Sequence, residues 1–190
     1  LAAAAKNAEK VRSLYGEKSA EYEMAKKAVD SYGNEGDKGV TISVVKDSAI
    51  DSTGRTSGTK GKLKVEFQES FLDQFNGLGE QREIANPMGS LIAHEGYHVA
   101  TNALTSYEIE QDAYRVQATL ERAWNPPSSY IDLQKNIYPS LIKDERVFIW
   151  DRSWGAVDID ANRDKGIQRI LEIAYSKLKP RAAQPKTKKP

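Results

Sequence analysis

The sequence predicts an α+β fold in which a small antiparallel sheet packs beside a set of helices. Three observations predict it. Two short segments, Val40–Val44 and Leu63–Phe67, alternate apolar and polar residues with the period of two that marks a half-buried strand. Apolar residues recur every three or four positions on both sides of them, which is the helical period. The 190 residues are 39% hydrophobic and 29% charged, enough apolar content for one core and too little chain for two ordinary domains.

Residues 2–32 have few breakers apart from Gly16, and Val11, Leu14, Tyr15, Tyr22, Ala25 and Val29 fall at helical spacing. They read as one or two amphipathic helices, a lead-in over 1–32 that packs on the domain or presents it from a larger parent. Gly33, Gly36 and Gly39 end that segment and open a domain spanning 33–178. The two strands follow, separated by DSTGRTSGTKG at 51–61, which reads as a flexible polar loop joining them into a long-loop hairpin. Strand 62–68 is expected at the sheet edge, where an extended peptide can add. Asn86-Pro87 starts a helix, since Asn caps and Pro suits the first helical position. Met88, Leu91, Ile92 and Val99 give it an apolar stripe as far as about residue 103. Thr105 or Ser106 caps the next helix, about 107–124, which Pro126 and Pro127 stop. A further helical region spans roughly 130–149, interrupted by Pro139, and a last helix about 161–178 is capped by Asp160. Residues 179–190 form a Pro- and Lys-rich tail expected to be disordered.

Charge and composition exclude several classes of function. Lys plus Arg is 28 and Asp plus Glu is 27, a balance that argues against a dedicated nucleic-acid binder. The absence of cysteine removes disulfides, thiol nucleophiles and thiolate metal sites. No apolar run approaches the ~20 residues of a membrane span, so membrane insertion is not expected. The start, Leu1 and an Ala run without Met or a basic region before it, reads as an excision from a longer polypeptide.

Both histidines of the chain lie in His94-Glu95-Gly96-Tyr97-His98. Positions i and i+4 share a helix face, so two imidazoles can reach one metal ion. Glu95 lies about 100° further round the axis, where its carboxylate meets water rather than the metal. This is the HExxH pattern of zinc metallopeptidases. Without it, the histidines would be hydrogen-bonded core residues or holders of a purely structural ion, although structural zinc sites usually recruit thiolates.

A catalytic site needs a third protein ligand. Leu104 stands where a third His would fall in the metzincin arrangement, and Thr101 replaces its Gly. With no other His in the chain, the ligand is expected to be a carboxylate from Tyr107–Tyr114. Glu110 borders the apolar stripe of Ile109, Ala113, Val116 and Leu120, and is favoured. Glu108 shares a polar, solvated face with Asp112, Arg115 and Thr119. It stays open as the alternative, because a Glu-x-x-x-Asp pair can supply a ligand and a carboxylate for a ligand histidine. Asn102, one turn past His98, is a candidate to orient a ligand or to cap the helix. Tyr97, Tyr107, Tyr114, Tyr130 and Tyr138 include candidate oxyanion donors; Asn102, Asp112 and Tyr114 are the candidates to support a ligand or the oxyanion. Trp124, Trp150 and Trp154 read as packing residues, and Arg146 and Arg152 as surface charges.

HEGYH followed by a helix reading EQDAYRVQ resembles the glutamate zincins, in which HExxH precedes a helix of the form Glu-x-x-Ala. The resemblance covers residues 88–117 and implies a zincin-like fold and a zinc endopeptidase. It further implies one Zn2+ per chain on His94, His98 and Glu110, with Glu95 as catalytic base. The short spacing from His98 to Glu110 departs from thermolysin-like enzymes, so their substrate subsites do not carry over. The wider pattern, a basic helical lead-in, then SYGNEGDKGVTISV, a strand pair and the HExxH helix, is similar to metallopeptidase toxin domains at the C-termini of bacterial polymorphic toxins, including Rhs-repeat proteins. That implies a protein or peptide substrate, an immunity protein or parent-toxin shell as partner, and secretion or delivery into a target cell. The alternative reading is a non-catalytic interaction module whose metal only fixes two helices together.

Overall fold

The computed structural model describes residues 1–33, 39–76, 85–103, 105–124 and, near the C-terminus, 164, 167, 168, 171, 172 and 175. Within them the architecture is mixed α/β, with five helices and one three-stranded sheet. None of these helices is long and apolar enough to cross a membrane. The expected helix at 130–149, the tail 179–190, and Tyr130, Tyr138, Arg146, Trp150, Arg152 and Trp154 lie outside the described residues.

The lead-in is two helices, α1 (Ala2–Tyr15) and α2 (Ala20–Asp30), divided at Gly16, whose φ of 97° ends the first. Ser19 starts the second, its hydroxyl accepting the Tyr22 N–H at 3.1 Å. Both pack on the domain. Ala8, Val11, Tyr22, Ala25 and Ala28 share one apolar cluster with Ala93 and Tyr97 of α4 (Ala85–Ala100) and with Ala113, Val116 and Leu120 of α5 (Tyr107–Trp124).

The sheet differs from the expected hairpin. β1 (Val40–Val45) pairs with β3 (Lys62–Gln68) in parallel, and the segment read as a flexible loop supplies β2 (Gly54–Thr59), antiparallel to β3. The order is β1-β3-β2, so strand 62–68 is central and cannot be the edge that receives a peptide. The physical reason is the tight turn at Lys60-Gly61. It folds β2 directly back on β3, and β1 takes the other side of β3, in parallel. GRTSGT has no apolar alternation because β2 buries no apolar face of its own. β3 does: Leu63, Val65 and Phe67 join Val40, Tyr32 and Val99 in a second cluster. A short helix, α3 (Glu69–Asn76), follows β3.

α4 sits between α2 and the sheet, and its glycine allows this. A side chain at Gly96 would run into the Ala28 carbonyl, lying 3.0 Å from its carbon and 2.8 Å from the Tyr32 ring. The approach is fastened by hydrogen bonds. The Ser31 hydroxyl lies 2.7 Å from both the Ala28 and Gly96 carbonyl oxygens, and the Tyr32 hydroxyl donates to the Ile92 carbonyl at 2.7 Å. Backbone cannot yield as a flexible side chain can. We expect Gly96→Ala to cost about 3 kcal/mol in overpacking, offset by the ~1 kcal/mol that Ala gains over Gly in a helix. The net loss of about 2 kcal/mol should lower the thermal midpoint by roughly 4–8 °C. Calorimetry showing an unchanged or raised midpoint would contradict this packing argument.

Candidate metal centre

His94 and His98 lie one turn apart on α4, and their Nε2 atoms face each other at 3.3 Å. α4 ends at Ala100. Thr101 then donates to the Tyr97 and His98 carbonyls at 2.9 and 3.1 Å, and Asn102 and Ala103 take left-handed φ values of 59° and 56°. That turn reverses the chain into α5. Ser106 starts α5, accepting the Ile109 N–H at 3.3 Å and receiving the Glu110 N–H on its carbonyl at 3.0 Å.

The first turn of α5 thereby brings Glu110 to the histidines. Its Oε1 is 3.6 Å from His98 Nε2 and its Oε2 is 3.9 Å from His94 Nε2. Among the described residues, His94, His98 and Glu110 are the one group of three such side chains whose donor atoms all lie within 4.8 Å of one another. Donors bound to a tetrahedral zinc at about 2.0–2.1 Å stand roughly 3.3 Å apart, so a small contraction would bring these onto one ion. The Tyr175 hydroxyl bonds to the Glu110 carboxylate, yet among the described residues Glu110 Oε2 is buried with no hydrogen-bond partner. An uncompensated buried carboxylate oxygen is costly, and a cation among these three donors would satisfy it. A set of two imidazoles and a carboxylate suits a divalent ion of the zinc type. The residues fit a metal.

Glu108 is placed elsewhere. It is exposed, and its carboxylate accepts the Ser106 hydroxyl at 3.0 Å, serving the start of α5. Asp112 does not reach a histidine either; it accepts the Tyr97 hydroxyl at 3.1 Å and pairs with Arg115 at 3.1 Å. Asn102 is exposed in the left-handed turn that follows α4. The face of α5 read as solvated is partly covered. Thr119 is buried, and Arg115 also lies 3.4 Å from Asp164, because the C-terminal segment packs there.

Tyr114 belongs to the site. Its ring meets His94 edge-on with centroids 4.6 Å apart, and its hydroxyl lies 3.4 Å from that of Tyr175. Tyr175 was not legible as a site residue. It arrives with Ile167 and Leu171, which are buried against Ala118 of α5. Burial and then Glu110 raise its hydroxyl to about 12. Burial, followed by Tyr175, holds the Tyr114 hydroxyl well above the usual phenol range. Both remain protonated and able to donate.

Thr56 is another residue sequence reasoning missed. From β2 its hydroxyl donates to Glu95 Oε2 at 2.7 Å and approaches the Glu95 carbonyl at 3.2 Å. Burial raises the Glu95 carboxyl above its ordinary value, with Thr56 and His98 opposing and Glu110 adding to the rise. His94 is pushed well below the usual imidazole range by burial and then by His98, with Gln117 partly opposing. A neutral imidazole keeps the lone pair that a metal requires. His94, Glu95, His98 and Glu110 retain only 5, 4, 7 and 4% exposure. Glu95 is thus beside the donor cluster, buried and outside the donor set.

Comparison with protein-family models, curated proteins and solved structures finds no match for this chain.

Proposed function

We propose that the chain is a zinc-dependent endopeptidase in which His94, His98 and Glu110 hold one zinc ion and Glu95 is the general base. The observation that carries this is the division of labour among four buried polar side chains. Three aim their donor atoms at one point, and the fourth, adjacent in sequence, is held apart from them by Thr56. A site that only fastened α4 to α5 has no use for that fourth carboxylate.

Zinc, when bound, acts as a Lewis acid toward a carbonyl oxygen and lowers the pKa of water toward 7. Glu95 accepts a proton from the attacking water and returns it to the leaving amine. Burial raises the Glu95 carboxyl above its ordinary value, which makes its carboxylate a stronger proton acceptor while its acid can still give the proton back. Tyr114 packs on His94 and keeps that ring from turning. The substrate strand is β2 rather than β3. The Gln68 N–H donates to the Thr53 carbonyl, so in the antiparallel alternation the backbone groups of Gly54, Thr56 and Gly58 point away from β3. That edge lies beside Glu95, whose carboxylate takes the Thr56 backbone N–H, so an extended peptide would align along the edge beyond Thr56. Such a domain, carried at the end of a larger bacterial protein, would serve as a toxin or effector.

The near-complete burial of the four side chains favours a second reading, a non-catalytic interaction module with a structural ion. The metal itself is tested first. We expect elemental analysis of zinc-reconstituted protein to give one ion per chain, and a peptide-library digest to be abolished by a chelator and restored by zinc. Absence of stoichiometric metal would sink both readings. Metal without cleavage would leave the second.

A further inference from the structure

We infer that Thr56 and Gly54 on β2 are positioning residues that hold the Glu95 carboxylate in place from two sides. Thr56 anchors it. The hydroxyl donates to Oε2 at 2.7 Å, and the same hydroxyl lies 3.2 Å from the Glu95 carbonyl oxygen, so one side chain ties both the backbone and the carboxylate of that residue to β2. Thr56 is itself fixed, since its ladder partner in β3 is Val65, which is fully buried in the sheet's apolar cluster.

Gly54 provides the space. A Cβ there would stand 2.9 Å from Glu95 Oε1, 3.2 Å from its Cγ and 3.3 Å from its Cδ, with no backbone atom among these nearest neighbours. The backbone at Gly54 is not in the left-handed region, so Ala is admissible there without strain. This separates Gly54 from Gly96. At Gly96 a methyl group meets the carbonyl of another helix, and the fold must yield. At Gly54 it meets the far end of one flexible side chain, and the low-cost response is for the carboxylate to move. Removing the hydroxyl at 56 leaves Glu95 with only the Thr56 backbone N–H as its tie to β2, and adding a methyl at 54 displaces it. Neither change touches His94, His98 or Glu110.

The catalytic consequence rests on the assignment of Glu95 as general base, while the positioning itself does not. The test therefore has a structural arm and a kinetic arm, on the full chain loaded with zinc. Thr56→Val, Thr56→Ser and Gly54→Ala are compared with wild type for zinc content, thermal midpoint, the position of the Glu95 carboxylate in crystals, and kcat and KM on a peptide the wild type cleaves. Thr56→Val and Gly54→Ala are expected to keep one zinc and a near-wild-type midpoint, to shift the carboxylate, and to lower kcat about 10- to 100-fold with KM little changed, as misplacement of a proton acceptor does. Thr56→Ser should restore both position and rate, a rescue that a merely space-filling role would not give. A carboxylate that stays in place in both Thr56→Val and Gly54→Ala overturns the inference, as does one that moves without loss of turnover. If wild type is no more active than Glu95→Gln, the general-base reading fails, and the crystals alone still decide whether β2 holds the carboxylate. Should Thr56→Val not fold, Gly54→Ala decides.

Discussion

Replacing Glu95 by Gln is expected to leave the zinc and the fold in place and to remove turnover. Gln preserves the shape of the side chain and can still accept the Thr56 hydroxyl through its amide oxygen, so the link between β2 and α4 survives. An amide cannot take a proton from water at neutral pH. Loss of a general base typically costs on the order of 100- to 10,000-fold, which is visible in any working assay. The comparison separates an enzyme from an interaction module. In bacteria expressing the chain as a toxin, wild type should arrest growth and Glu95→Gln should not. Equal activity or equal toxicity of two zinc-loaded proteins would defeat the catalytic reading.

Replacing Glu110 by Ala should remove metal binding, whereas Glu108→Ala should change it little. Glu110 is buried with one carboxylate oxygen unpartnered among the donors, and Glu108 is an exposed group at the start of α5. Loss of a partner outside the ligand set typically costs about 10- to 100-fold in metal affinity, and loss of a ligand should cost more. The readout is thermal stability with and without zinc. An ion held at 100 times its Kd adds about 2.7 kcal/mol to the folded state. Wild type and Glu108→Ala should show that gain, and Glu110→Ala should not. Without zinc, Glu110→Ala should cost little stability, because one oxygen of the buried carboxylate it removes has no hydrogen-bond partner among the described residues. A variant Glu110→Ala that keeps the zinc-dependent gain would show the third ligand to lie elsewhere.

Local spacing was enough to place part of the site. The i, i+4 pair of histidines on a helix that begins near Asn86 follows from sequence, because helical periodicity fixes which side chains share a face. The same periodicity put Glu110 beside the buried stripe of α5 and Glu108 outside it, as the structure has them. It could not say that Thr119, nominally on the polar face with Glu108, would be covered. The division of α5 into buried and exposed faces depends on how many elements surround it, and α1, α2 and the C-terminal segment all do.

What the sequence by itself determined is therefore the chemistry carried by single helices: two imidazoles one turn apart, a carboxylate just off their face, and a glutamate at the start of the next helix. Only the tertiary structure decided how these meet and what supports them. The polar segment GRTSGT reads as loop because its strand state rests on a backbone ladder to β3, a long-range gain with no apolar pattern to announce it. Thr56 beneath Glu95, and Tyr175 against Tyr114, are contacts across 39 and 61 positions of chain, and Gly54 meets Glu95 from similarly far away in sequence. No periodicity encodes such contacts, since they arise when separately folded elements pack. Helical spacing is a property of neighbouring residues, whereas the surroundings of a buried carboxylate are a property of the whole packed core.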